Sequence, residues 1–495
     1  MKAFPTLLLT LLCLGCKSPS DPSPSIPDPV TPGGNGETRL TATAYTTTVG
    51  GKEFSESEIT LGKPEDVNFY KVTLDGESYQ TVDGFGFAIT QASGSNLLLM
   101  PPSDRKAFLE ELFSREKGHG SSLIRVCIGG SDFSLDEFTC CDTPGIEHFA
   151  MHPLDEEYVF PILDEILKIN PGVKIIASPW SCPRWMKVSD SGGSYDAWTG
   201  GRLNPKYYQD YATYFVKWIQ EMEKRGYPVM GVPLQNEPLN RGNSMSLYMS
   251  WEEQRDFIKT AVGPAFAAAG LKTKILVFDH NYNYDDIASE KDYPLKIYAD
   301  DEASKYIAGS AWHNYGGNVA TLDRVHSQYP DKEIYFTEAS IGTWNYNDFG
   351  VQLLNDFRDI FLGTLGRFGK GVTLWNLMLD DEHKPYRPGG CGTCWGGVTI
   401  SSKDHSIKRL TRNSQYYNVA HCSRVLQPGA VRLGTSGYTT AGLTYQWYRN
   451  PDGSYAALLL NEGTSQVQVN LVSGKASVAC KVPARSIQSV LWKEE

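Results

Sequence analysis

No stretch of the 495 residues is a basic run, and the formal net charge is −11. A nucleic-acid partner needs a positive stripe to meet its phosphates, so that class is set aside. No G-x-G-x-x-G and no P-loop follows the first strand-like segment, which removes the usual phosphate cradle of dinucleotide and nucleotide enzymes. Cysteine is sparse, ten in all. No second pair stands at metal spacing from Cys391-Gly-Thr-Cys394, so a zinc site is not indicated. No Ser–His pair is placed as nucleophile and base. The apolar run Leu7–Leu14 is too short to span a bilayer.

What is present begins with that run. Lys2 precedes it, and it ends in Leu14-Gly15-Cys16, followed at once by polar sequence. The form predicts a lipoprotein signal over residues 1–15, cut before Cys16 and lipidated there, rather than a plain secretory signal with an incidental cysteine. Cys13 departs from the leucine usual in that pattern. Residues 16–36, dominated by Pro, Ser and Gly, read as a semi-extended tether. The expectation is an exported protein anchored by lipid to a bacterial outer membrane, on the surface or the periplasmic face. The eight remaining cysteines would then meet oxidising conditions; for Cys391/Cys394 and the adjacent Cys140-Cys141, a disulfide or a buried free thiol both stay open.

Hydrophobic residues make up 41% of the chain, enough for one large domain and a smaller one. Residues 37–80 alternate polar and β-forming residues, as in Thr41–Thr46 and Asn68–Thr73. Five short strands are expected near the other end: Leu443–Tyr448, Tyr455–Leu460, Gln466–Leu471, Ala476–Val482 and Ser486–Trp492, separated by turn sequences such as Asn450-Pro-Asp-Gly453. Neither end supplies a sandwich alone, so residues 37–80 and 426–495 are expected to build one β-sandwich together. Residues 81–425 instead alternate strand and helix, with strand candidates at Val82–Ala88, Ser122–Ile128, Lys174–Pro179, Val229–Gln235, Lys274–Asp279, Gly309–His313, Glu333–Thr337 and Gly371–Trp375. Asn204-Pro205 opens a helix with Tyr208, Tyr211, Phe215, Trp218 and Met222 on one face, and Arg412–Leu426 could be the last helix. Eight alternating units predict an α/β fold, a (β/α)8 TIM barrel, with a doubly wound open sheet as the runner-up.

In such a barrel the polar residues just past each strand gather at one mouth. They are Arg125 and Asp132, Trp180, Asn236 and Glu237, Asp279-His280-Asn281, His313 and Tyr315, Glu338, and Trp375-Asn376. Two glutamates at matching strand ends, about a hundred residues apart along the chain, suit glycoside cleavage by paired carboxylates. The alternatives are that Arg125 is a structural ion-pair partner, Asp132 a turn or helix cap, and Trp180 and Trp375 core. His313 reads as a packing histidine rather than a catalyst, and Asp279-His280-Asn281 as loop capping or a distal sugar contact. No cofactor or metal is called for.

These residues resemble glycoside hydrolase family thirty, which includes β-1,6-glucanases and glucosylceramidase. The resemblance lies in Gln80-Thr-Val-Asp-Gly-Phe-Gly86, Arg125–Phe133, Ala177–Lys187, Gln235-Asn-Glu-Pro238, Trp312-His-Asn-Tyr315, Thr337-Glu338, Gln427-Pro-Gly429 and Pro483–Gln488. It implies a barrel with a side β-sandwich and hydrolysis with retention of configuration. Carried over residue by residue, it implies Glu237 as acid/base and Glu338 as nucleophile. Arg125 would steady the nucleophile, and Asp132, Trp180, Asn236, Tyr315 and Trp375 would bind the sugar. Cys182 and Arg184 depart from the proline and small residue usual after Ser-Pro-Trp-Ser. β-1,6-Glucan is the expected substrate, as polysaccharide or oligosaccharide. A glucosylceramidase-like or xylan-cleaving activity is the enzymatic alternative, and a non-catalytic glycan-binding lipoprotein the alternative of another class.

Overall fold

The computed structural model describes residues 40–494 apart from 244 and 345–347. The expected signal, Cys16 and the tether lie outside the described residues. No described helix is long and apolar enough to cross a membrane.

Strands Gly84–Phe87, Leu123–Cys127, Lys174–Ser178, Val229–Pro233, Lys274–Asn281, Ile307–His313, Glu333–Glu338 and Gly369–Leu374 form one eight-stranded parallel sheet. The first strand and the second meet through a bridge between Ala88 and Arg125, and the Ile89 N–H donates to the Arg125 carbonyl at 2.8 Å. That contact closes the sheet into a (β/α)8 barrel. These eight are the strands expected from sequence, within two residues at either end. Each is an almost unbroken apolar run because both its faces are covered, one by the barrel interior and one by helices. Leu123, Ile176, Leu276, Ala311 and Tyr335 fill the interior. The floor is closed by charge. Lys274 and Lys370 pair with Glu333, Lys174 pairs with Asp83, and the Tyr335 hydroxyl donates to Asp83 at 2.6 Å.

Helix Tyr208–Lys224 follows from its sequence. The Asn204 side chain accepts the Lys206 N–H, Pro205 opens the first turn, and Tyr211, Phe215, Trp218 and Met222 are buried. Tyr208 is only half-buried.

The other sheet has nine strands drawn from both ends of the chain. Their order is Gly51–Thr60, Thr41–Thr48, Ser486–Trp492, Tyr455–Asn461, Leu443–Arg449, Ala430–Gly437, Lys71–Val82, Val467–Val472 and Ser477–Val482. It folds over a core that includes Ala44, Val72, Trp447, Leu459, Val469 and Val490, the expected sandwich. Two strands are additional to those expected. Gly51–Thr60 carries Glu53, Glu56 and Glu58 along an edge, where charge is tolerated and strand propensity is a weak signal. Ala430–Gly437 lies between the last helix and the first strand expected after it. That helix, Ser414–Val425, couples barrel to sandwich: His421 Nδ1 stands 2.9 Å from Ser489 Oγ and its Nε2 3.0 Å from Thr47 Oγ1. Burial pushes His421 down to about 3, so the ring is neutral.

Gly86 sits at the closing seam, where a Cβ would fall 2.0 Å from the Leu123 carbonyl oxygen and 2.7 Å from Ser121 Oγ. Backbone on the far side cannot yield as a side chain can. Gly86→Ala is therefore expected to cost at least about 1–3 kcal/mol, the range for overpacking, measured as a shift in chemical denaturation midpoint.

Candidate active site

The upper ends of the strands depart from regular geometry where polar residues gather. Glu237 (φ 44°), Phe278 (φ 76°), Asp279 (φ 69°) and Asn376 (φ 62°) all lie in the left-handed region, at a cost on the order of 1–3 kcal/mol each. The register between strands five and six slips between Phe278 and His280. A slip of this kind suspends the normal in–out alternation, so Asp279 and His280 both face the mouth. A second slip, between strands six and seven at Trp312/His313, sets His313 opposite Glu338.

Arg125 occupies the centre, with no exposed surface. Its Nη1 donates to Glu338 Oε2 at 2.5 Å, and its Nη2 donates to Asp279 Oδ2 and Asn236 Oδ1, each at 2.8 Å. The guanidinium lies 4.9 Å over the Trp180 ring, and Trp180 stacks on Trp375 at 5.0 Å. Burial disfavours the charge, yet Asp279 and Glu338 raise the affinity of Arg125 for its proton beyond the ordinary value. Asp279 also accepts from Ser178 Oγ and Thr337 Oγ1, both at 2.6 Å. Burial would raise it, but Arg125, His313 and Ser178 hold it well below the usual carboxylate range.

His313 bridges the network. Its Nε2 stands 3.1 Å from Asp279 Oδ1 and its Nδ1 3.3 Å from Glu237 Oε1. Against burial, the neighbouring carboxylates push it up to about 9. Glu237 Oε2 accepts from Asn240 Nδ2 at 2.8 Å. Burial raises the Glu237 carboxyl, but the His313 hydrogen bond, the nearby His280 and Asn240 hold it below its ordinary value. Glu338 is raised, by burial and by the charge of Glu237, against the opposing pull of His313 and Arg125. Its Oε1 accepts from the Tyr315 hydroxyl at 3.0 Å. Asp132 is pushed well above its usual value by burial and by the charges of Glu338 and Glu237.

A cleft of about 450 Å³ opens above this network, lined among others by Asp132, Glu237, His280, Tyr315, Glu338, Trp344 and Trp375. Of the residues singled out by sequence, the cleft brings together Glu237, Glu338, Asp132, Tyr315 and Trp375. Arg125, Asn236 and Trp180 lie beneath it, buried. Asn236 Oδ1 is tied to Arg125, which leaves its amide N–H groups to offer. Trp180 serves as the platform under Arg125, and its indole N–H has no partner among the described residues.

Sequence reasoning set His313 aside as packing; the structure wires it to Glu237 and Asp279. Nor does spacing along the chain bring Glu237, His280 and His313 together, as the fold does. Trp344, on the loop past strand seven, and Asn240, past strand four, carry no signal a sequence reading could use. Cys391 and Cys394 are joined in a disulfide at the cleft rim, while Cys140 and Cys141 are free thiols. Lys187, nearly buried, donates from Nζ to the carbonyls of Ala197, Trp198, Gly200 and Ser246 at 2.8–3.0 Å, fastening the rim loops past strands three and four.

The chain matches the glycosyl hydrolase family 30 TIM-barrel domain over residues 82–426 and the family 30 beta sandwich domain over residues 429–490. It is 32% identical over 432 residues to the endo-1,6-beta-D-glucanase BGN16.3 of Trichoderma harzianum, covering 82% of this chain and 83% of that one. It is 29% identical to the putative glucosylceramidase 2 of Caenorhabditis elegans, covering 85% and 82% respectively. The solved structure of the endo-beta1,6-glucanase BT3312 superposes with a TM-score of 0.89 at 52% identity, covering 92% of this chain and 99% of that one.

Truncating Arg125 leaves two buried carboxylates without their counter-charge. Arg125→Met is expected to cost about 3–5 kcal/mol of stability, as breaking a buried pair does, read from urea denaturation. Arg125→Lys, which cannot reach Glu338, Asp279 and Asn236 together, is expected to recover only part of the loss.

Proposed function

The chain belongs to glycosyl hydrolase family 30 and is a glycoside hydrolase, and from that premise we propose that it cleaves β-1,6-glucan with Glu237 as acid/base and Glu338 as nucleophile. The observation that carries the assignment is the convergence of Glu237 and Glu338 on one cleft above a single buried guanidinium. The preference for β-1,6-glucan over glucosylceramide rests on the greater likeness to a β-1,6-glucanase, 52% identity against 29%.

In this reading the groups act through a retaining mechanism as follows. Glu237 and His313 together hold a mobile proton at neutral pH, because the imidazolium–carboxylate form and the imidazole–carboxylic acid form differ only by its transfer across their 3.3 Å contact. When the proton sits on Glu237, that residue can give it to the leaving glycosidic oxygen. The same shift cancels the negative charge of Glu237, which raises Glu338, together with the positive charge of His313, which lowers it, and leaves Arg125 as the cation facing Glu338. Arg125 and the Tyr315 hydroxyl then favour the Glu338 anion, which attacks the anomeric carbon as the bond to the leaving oxygen breaks. Esterified Glu338 carries no charge, so Glu237, now a carboxylate, accepts a proton from water as the water displaces the ester. The same reading assigns Asp132 and Asn236 to the hydroxyls of the sugar being cleaved, with Tyr315 and Trp375 beside it.

Glu338→Gln is expected to lower hydrolysis of linear β-1,6-glucan by several orders of magnitude. Glu237→Gln is expected to spare substrates with an acidic aryl leaving group, which need no proton, far more than the glucan. Product size and anomeric configuration, followed by chromatography and NMR, check both; most of the activity surviving in Glu338→Gln would displace the nucleophile assignment, and no cleavage of any glycan by the wild type would favour a binding protein.

Export and lipidation at Cys16 are part of the same proposal, supported by Leu14-Gly15-Cys16 and the tether that follows. Cys16→Ser is expected to move the protein from the membrane fraction to the soluble one, read by immunoblot after fractionation.

A further inference from the structure

Glu237 faces two imidazoles through one oxygen. His313 Nδ1 lies 3.3 Å and His280 Nδ1 3.7 Å from Glu237 Oε1, and the three ligand atoms fall within 4.8 Å of one another. A carboxylate stands behind each ring: Asp279 Oδ1 is 3.1 Å from His313 Nε2, and Asp285 Oδ2 is 2.6 Å from His280 Nε2. An ionised carboxylate can only accept, so His313 Nε2 donates to Asp279, and whenever the proton shared across the 3.3 Å contact sits on Glu237 or is removed, His313 Nδ1 offers its lone pair on that side. His280 is buried, and neither of its ring nitrogens has a hydrogen-bond partner among the described residues.

Three Lewis bases thus converge on one point. The arrangement is unfavourable until a cation occupies it, whether a proton or a metal ion. Two imidazoles and a carboxylate are also the protein ligands of open tetrahedral zinc sites, with metal–ligand distances of about 2.0–2.2 Å. Ligands at that radius lie roughly 3.3 Å apart, close to the separations from Oε1 here. Asp279 behind His313 fits the pattern, since ligating histidines almost always donate their other ring N–H to such a group. A fourth position opens on the cleft, which Glu237 and His280 both line.

We infer that Glu237, His280 and His313 form a binding site for a borderline-soft divalent cation, Zn2+ above all, with a water or a substrate hydroxyl as fourth ligand. Imidazole donors disfavour Mg2+ and Ca2+ at such a site. The bound ion occupies the lone pair of Glu237 Oε1 and displaces the proton shared with His313, so it acts as a reversible inhibitor. That consequence rests on Glu237 as proton donor, whereas the binding does not.

The test uses the full chain freed of metal with EDTA. Titration with Co2+ should give visible absorption bands of a four- or five-coordinate ion, saturating at one equivalent and abolished by Zn2+. Calorimetry should give one Zn2+ per chain and no response to Mg2+. His280→Asn and His313→Asn, each checked by circular dichroism for a native fold, should weaken Zn2+ binding at least tenfold. Hydrolysis should fall in proportion to Zn2+ occupancy and return with EDTA. No Co2+ spectrum and no Zn2+ heat, or binding unaltered in both variants, would overturn the site. Binding at these residues with hydrolysis untouched would uphold the site and instead remove Glu237 from the donor role.

Discussion

One buried cation organises the mouth of this barrel. Arg125 holds the carboxylates of Asp279 and Glu338 and the amide of Asn236 with the two ends of one guanidinium, so strands two, four, five and seven are tied through a single side chain. Away from water each of these charges would be expensive alone, and each is acceptable because the others are there. The planar fork matters as much as the charge, since it fixes the directions in which Glu338 and Asn236 point. Beneath it, the faces of Trp180 and Trp375 favour the cation without accepting a proton from it. The positions of the carboxyl groups over the cleft are therefore a property of the barrel wall, and the loops above have little part in setting them.

The second organising feature is departure from regular strand geometry. A regular strand offers the mouth every other residue, which would give strand five one polar side chain at its end. The slip at Phe278–His280, with two consecutive left-handed residues, gives it two. Asp279 then turns down to Arg125 and His280 stays level with Glu237. The left-handed Glu237 is braced by its own backbone N–H, which donates to the Asp279 carbonyl at 3.0 Å. Strain at one strand end is thus held by hydrogen bonds from the next.

Much of this architecture was legible in the sequence, and the reason is physical. Barrel strands covered on both faces appear as short apolar runs with abrupt polar ends, and those ends are where Glu237 and Glu338 were found. The helix from Tyr208 and the strands from Leu443 onward follow from equally local rules of capping, period and turn. What escaped depends on register. Nothing in Asp279-His280-Asn281 says that the strand slips there, so His280 could not be set against Glu237. His313 looked like a packing residue because its role depends on partners from two other strands. Trp180, expected to hold the sugar, also packs its ring face on Arg125, a contact that depends on a partner from another strand. Strand Gly51–Thr60 was missed for the opposite reason: an exposed edge need not carry an apolar pattern at all.

The pairing of Thr41–Thr48 with Ser486–Trp492, residue for residue from Ala42 against Trp492 to Thr48 against Ser486, bears on the order of events during synthesis. Thr41–Thr48 leaves the ribosome long before the neighbour it pairs with, Ser486–Trp492. Until that neighbour is made, Thr41–Thr48 has an unpaired side, and the strand leading into the barrel, Lys71–Val82, at first lacks Ala430–Gly437 and Val467–Val472 on its flanks. A nascent chain of this design keeps Thr41–Thr48 and Lys71–Val82 short of partners until Ala430–Gly437, Val467–Val472 and Ser486–Trp492 have emerged.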